Sequence, residues 1–343
     1  MNTRVKVWIT TTALLLLAQP GFADDKTALP ARLKKAEIDT SLDDKNLLPW
    51  HLKLEIQFYD LKGKPTDKGT IEEWWATPRQ RLIEYALPDY TGKFVQNDKG
   101  EFWSKTPGSP SNLANMLLTQ IVHPMPGDEK IDRATPELRK DSFGKVSLDC
   151  IMLTHPIKDV VYPPLGLYPT YCFDVGKDSL RVSYSLGSIG IVRNSMGVFQ
   201  GRSVATAVTI DQGSTQTASA HVVELKGTQV VAGQFAESPD MQSTLSKASV
   251  PGTVMAGTIL KKPQPIYPQS ARMRHAEGTV LLHALIGRDG RILTLEIDST
   301  PDADLGLAAL AAVQQWAYSP YLINGQPTEV DTIITVNFHI GLR

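Results

Sequence analysis

From Trp50 the chain alternates apolar and polar residues with a period of two, first in HLKLEIQFYD, then in TIEEWWATPRQRLIEYAL and KFVQNDKGEFWSKT. That period puts every second side chain on one face, so the runs read as consecutive antiparallel strands. Turns are expected at LKGKPTDKG and at Asn97-Asp98-Lys99-Gly100. Ahead of them, residues 29–48 space apolar positions three and four apart and end at Pro49, the pattern of a short amphipathic helix. SPSNLANMLLTQIVHPM, from Ser109, interrupts the alternation. Ser111 is placed to cap a helix whose Leu113, Met116, Leu117, Gln120 and Ile121 share a face. Strand patterns resume at residues 145–154, 171–175, 180–186, 189–199, 204–211 and 218–225. Strands interrupted by a helix or two predict an α+β domain built on one curved antiparallel sheet.

Between about Gly233 and Ala256 the periodicity fades into small, polar and proline residues, which is linker chemistry. A second unit begins after it. Pro263, Pro265 and Pro268 hold an extended lead-in, because proline fixes φ and biases its predecessor away from helix. Residues 269–275 make one or two helical turns, with Ala271 inward and Arg272 and Arg274 exposed. Strands follow at 279–286 and 292–298 around Arg288-Asp289-Gly290-Arg291. A helix capped by Asp302 or Asp304 runs to Tyr318, Asn324-Gly325 turns, and TIITVNFHI alternates as a closing strand. The predicted organisation is 24–235, a linker at 236–256, and a small domain at 257–343.

The first residues change the compartment. Arg4 and Lys6 precede an apolar run of about 12 residues, and Gly21-Phe22-Ala23 supplies small residues before Asp24, which reads as a signal peptide over 1–23. A bilayer core needs roughly 20 apolar residues. The expectation is therefore a soluble, periplasmic, exported protein, with an inner-membrane anchor as the alternative if the leader is retained. Removing Arg4 and Lys6 lowers Lys+Arg from 35 to 33 against 36 Asp+Glu, a formal charge of -3. Without a basic excess to displace counterions from phosphates, nucleic acid is not an expected partner.

Export also gives the two cysteines a meaning. Cys150 and Cys172 lie in strand-like runs on either side of the loop VVYPPLGLYP, and an oxidising compartment favours bridging them. No nucleophile elbow, phosphate loop or HExxH motif is visible, so the reading is non-enzymatic with no catalytic residue, cofactor or metal site. The histidines are scattered singly; His283 and His339 alone are candidates for neighbours across a sheet. Trp74, Trp75, Tyr85, Phe102 and Trp103 form an aromatic group that belongs to a core or, on a second reading, lines a groove for a lipid acyl chain.

Two resemblances sharpen this. From Trp50 to Leu225 the strand rhythm, with the phrase CFDVGKDSLRVSY, resembles the LolA-like lipoprotein-carrier half-barrel, which implies a curved sheet wrapping apolar helices and a lipid or lipoprotein carrier as the alternative function. From Lys261 to Gly341 the order Tyr267-Pro268, Ala271, Gly278, Val280, Asp289-Gly290, Leu310, Trp316, Tyr318, Pro320, Gly325, Pro327, Val336 and Phe338 resembles the TonB C-terminal domain. That resemblance implies a short three-stranded antiparallel sheet with one main helix, whose last strand stays open at its edge for an extended protein segment. It implies an outer-membrane transporter as partner and a transport-related role. Gln264, Pro265, Tyr267 and Pro268 are then expected to contact the partner, and Thr332, Ile334, Val336 and Phe338 to pair with it. A long proline-rich rod and a spanning anchor, which an energy transducer needs, are not visible in the sequence.

Overall fold

The computed structural model describes residues 28–106, 108–154, 163–185, 187, 189–243 and 247–340; the expected leader lies outside them. α1 (Ala28–Thr40) leads into a meander of β1 (Trp50–Tyr59), β2 (Pro65–Thr77), β3 (Gln80–Leu87), β4 (Tyr90–Asn97) and β5 (Gly100–Ser104). α2 (Asn112–Val122) and α3 (Asp128–Arg133) separate it from a second meander. That one comprises β6 (Thr135–Phe143), β7 (Val146–Thr154), β8 (Thr170–Asp174), β9 (Leu180–Ser185), β10 (Ile189–Phe199), β11 (Arg202–Gln212) and β12 (Thr215–Gly227). Pairing of β1 with β12 joins the two meanders. With β13 (Met241–Ser243) added beside β5, one sheet runs β13-β5-β4-β3-β2-β1-β12-β11-β10-β9-β8-β7-β6.

Alternation decides which face is buried. Leu52, Leu54 and Ile56 of β1 line up with Ile71 and Trp75 of β2, Ile83 and Tyr85 of β3, and Val208 and Ile210 of β11 in one apolar cluster. Into this face packs α2, its first turn capped by the Ser111 hydroxyl accepting from the Ala114 amide at 3.3 Å, with Leu117 and Ile121 buried. Trp75 stacks on Trp50 with centroids 5.7 Å apart, and Trp74 turns to the opposite face and stacks on His51. The aromatic group is therefore split: Trp75, Tyr85 and Trp103 join the core, while Trp74 and Phe102 point away. Across the second meander, α1 and α3 cover Ile151, Leu153, Phe173 and Leu180. Cys150 and Cys172 stand directly opposite each other on β7 and β8 and are disulfide-bonded, both fully buried.

The segment expected to be linker carries structure of its own: β13, then β14 (Ala248–Ser249) and α4 (Gly252–Ala256); β15 (Ile259–Lys261) follows in the small unit. The small unit continues with α5 (Gln269–Met273), β16 (Gly278–Ile286), β17 (Ile292–Ser299), α6 (Ala303–Val313), β18 (Ala317–Tyr318), β19 (Leu322–Ile323), β20 (Gln326–Pro327) and β21 (Val330–Phe338). Asp302 caps α6, accepting from the Asp304 and Leu305 amides. The helix ends at Val313 and does not reach Tyr318, whose amide donates to the Gly290 carbonyl at 2.8 Å as β18 pairs with β15. Gly290 sits at φ +79 with the Tyr318 carbonyl 1.8 Å from where a Cβ would stand, so no larger residue fits this crossing.

One acid is buried in the apolar face. Glu73 is 1% exposed, and its nearest cation is the Arg81 Nη1 at 3.8 Å, while the Nη2 of the same guanidinium donates to Asp43 at 2.7 Å. Burial raises the Glu73 carboxyl to about 7, with Arg81 opposing and Asp43 assisting the rise. The folded chain holds this proton more tightly than the unfolded chain. Its stabilising contribution is complete below the ordinary carboxylate range and is lost as pH rises toward 7.

Two outcomes are expected. In urea titrations, the stability of Glu73→Gln relative to wild type rises by about 3 kcal/mol between pH 4 and pH 8; a constant difference contradicts the assignment. Replacing both cysteines by serine costs about 3 kcal/mol in the chain-entropy account of a loop this long, read from the same titrations at one pH.

Candidate protein-binding edge

Four strands make the sheet of the small unit, in the order β14-β21-β16-β17. β21 pairs with β16 antiparallel from Gly278 opposite Phe338 to Ile286 opposite Val330. Its even-numbered side chains, Thr332, Ile334, Val336 and Phe338, are buried, while Ile333, Thr335 and Asn337 face outward. The four residues expected to pair with a partner thus point their side chains into the core.

Main-chain direction also alternates along a strand, and β14 reveals its parity. The Ala248 amide donates to Glu329 O at 2.9 Å and the Val250 amide to Asp331 O at 3.1 Å. Odd-numbered residues of β21 therefore turn their main-chain groups to the outer edge, and even-numbered ones bond β16. At Thr332, Ile334, Val336 and Phe338 the main chain is used inside the sheet. The groups left for a visitor belong to Thr335 and Asn337, which have no main-chain partner on that side among the described residues.

The last strand is therefore only half open, which corrects the expected three-stranded sheet with a free closing strand. β14 runs parallel to β21 opposite Val330 and Asp331, and α4 then turns over Ile333. A Cβ on Gly252 would stand 2.0 Å from the Ile333 carbonyl oxygen, so glycine lets the backbone close onto the edge. Alternation in Ala248-Ser249-Val250 is the only sequence signal for this strand, and two residues are too few to show a period.

The opposite edge, β17, is touched at two points by helices packed on the large sheet. Asn112 Nδ2 donates to Ile292 O at 2.6 Å, and Lys130 pairs with Glu296. Arg288 at the β16–β17 turn lies 5.0 Å over the Trp103 ring, and a cavity of about 320 Å³ remains between the two units, bounded by Tyr90, Trp103, Asn115, Arg288 and Glu329.

The lead-in residues fall into two kinds. Tyr267 donates its hydroxyl to Ala276 O, meets Phe338 edge-on at 5.6 Å and lies under the Arg272 guanidinium, so it fastens the lead-in to the C-terminal end of β21. Pro265 and Pro268 are half-buried beside it, and Gln264 is exposed. Trp316 holds the preceding turn by donating to Pro263 O at 3.0 Å, with the Lys262 ammonium over its ring. Ile266, 86% exposed between Pro265 and Tyr267, is the apolar side chain that sequence reasoning passed over. His283 bonds Asp331 at 2.8 Å, while His339 lies beyond the end of β21, so the two histidines are not a pair.

Residues 263–340 match the family described as Gram-negative bacterial TonB protein C-terminal. A curated relative, Protein TonB of Vibrio cholerae serotype O1, is 28% identical over 110 residues, which cover 30% of this chain and 45% of the relative; the chain thus spans under half of that protein's length. Among solved structures, a LolA superfamily protein from Nitrosomonas europaea aligns at TM-score 0.40 and 10% identity over 60% of this chain and 97% of its own. A DUF1329 family protein from Desulfovibrio piger aligns at 0.35 and 9% over 62% and 96%.

The parity of β21 is open to a direct check. By amide hydrogen exchange of the whole chain, Thr335 and Asn337 should exchange roughly a hundredfold faster than Ile334 and Val336. Equal protection along the strand contradicts an open edge.

Proposed function

We propose that this is an exported, non-catalytic, TonB-like protein that captures an extended segment of a protein partner, an outer-membrane transporter, on the outer edge of β21. The reading rests on one observation: β21 of the TonB-like unit leaves main-chain groups at Thr335 and Asn337 with no main-chain partner on its outer side among the described residues. A strand added there gains main-chain hydrogen bonds, and outward side chains such as Ile333 supply selectivity. The fastened lead-in at Tyr267 puts exposed Gln264 and Ile266 near the far end of the same edge. Export to the periplasm follows from the leader pattern in residues 1–23, and among the described residues no helix is long and apolar enough to cross a membrane. Retention of the leader would place the same edge on a membrane-anchored transducer.

The lipid-carrier alternative draws less support. The concave face that would hold an acyl chain is filled by Ala114, Leu117 and Ile121 of α2.

The test uses the full chain and synthetic peptides copying the N-terminal segments of outer-membrane transporters. Thr335→Pro removes an outward donor without touching the β16 ladder. It should weaken peptide binding about tenfold, or about 1.4 kcal/mol, with the thermal midpoint little changed. Wild-type affinity in Thr335→Pro contradicts the proposal.

A further inference from the structure

We infer that residues 248–256 are a clip that occupies the binding edge in the free protein and that the partner's strand must displace. This rests on the strand-capture reading above and adds its regulation.

The clip imitates a partner. It lies along the same outer edge of β21 and uses the same odd-numbered main-chain groups, taking the Glu329 and Asp331 carbonyls. Beyond Val250 it leaves the strand, and α4 caps Ile333 through the Gly252 close approach. Val250 and Met255 are its two buried anchors, at 6% and 1% exposure, while Val254 on the same short helix stays half in solvent.

As an edge strand it is weak. Its pairing is parallel, the less stable arrangement per residue, and covers only Val330 and Asp331. A visiting strand along the whole of β21 would meet outward main-chain groups at Asp331, Ile333, Thr335 and Asn337. The clip compensates by being part of the same chain, which gives it a millimolar-scale effective concentration.

The clip can also leave without dismantling either sheet. Upstream, Met241–Ser243 are paired with β5; downstream, Ile259–Lys261 are paired with β18. Each flank is held by a different partner, so release costs the short ladder of hydrogen bonds to residues 329–331 and the burial of Val250 and Met255. An occupied edge lowers the apparent affinity for a partner by the fraction of molecules in which the clip is open.

Two variants of the full chain separate the outcomes. Ser249→Cys with Asp331→Cys places thiols on directly opposed Cα partners, within the spacing a disulfide accepts. Oxidised, this variant should bind the transporter peptide at least tenfold more weakly than the same molecule reduced, which controls for the loss of Asp331, whereas wild type, whose Cys150–Cys172 bridge meets the same reductant, should bind equally in both states. Gly252→Ala should bind that peptide at least threefold more tightly than wild type. It should also bind a labelled nonapeptide of the clip's own sequence, Ala248 to Ala256, which wild type does not take. Ala248→Pro, which removes the donor to Glu329 O, serves as a second opened form, and unchanged exchange at Val280 and Leu282 reports an intact fold. Equal affinity in the oxidised and reduced forms overturns the clip. If Thr335→Pro still weakens binding in that case, strand capture itself stands. If the transporter peptide binds no form, the nonapeptide decides: binding to the opened variants alone supports the clip, and binding to none overturns it.

Discussion

The burial of Ile334, Val336 and Phe338 in the core of the small unit fixes the rotational setting of β21. Once that setting is chosen and β16 lies on one side, the peptide groups of Thr335 and Asn337 have to face the other way. No side chain of the core can satisfy them, because strand geometry separates the plane of the side chains from the plane of the main-chain bonds. An open edge is a hazard that proteins blunt with charge, proline or covering chain. Here the covering is partial: β14 and α4 protect the first half, and the second half is left exposed.

The large sheet contributes by bracing the other edge of the small sheet, β17. Asn112 and Lys130, on helices bound to the large sheet, reach β17, while Leu167 packs close to Gly306 of α6. The TonB-like unit is therefore seated on a broad antiparallel sheet, and its remaining edge is presented in a fixed direction. The disulfide braces the far meander of that sheet, where Cys150 and Cys172 pin adjacent strands across a loop of about 20 residues.

Much of this was legible in the residues. Period-two alternation marked β1 to β5, the Ser-Pro-Ser phrase before Asn112 marked the start of α2, and the paired cysteines fell on neighbouring strands as expected. Other features were not legible, each for a physical reason. β6 reads TPELRKDSF, an edge strand with charged residues on both faces and too little alternation to register. The helix expected to reach Tyr318 stops at Val313 because the crossing at Gly290 captures the Tyr318 amide; the helical spacing of Trp316 concealed this. At the proposed binding edge, the resemblance pointed to Thr332, Ile334, Val336 and Phe338, which are the positions whose side chains the alternation buries. Which peptide groups face a visitor depends on the side occupied by β16, and that is a property of pairing, invisible in a single strand.

Scalar couplings transmitted through hydrogen bonds observe directly whether a partner's main chain joins the outer edge of β21. In a complex of the isotope-labelled full chain with a labelled transporter segment, couplings should connect the Thr335 and Asn337 amide nitrogens to carbonyl carbons of the segment. A bound segment with no such couplings at β21, or with couplings to β17 or to the large sheet, would contradict the account.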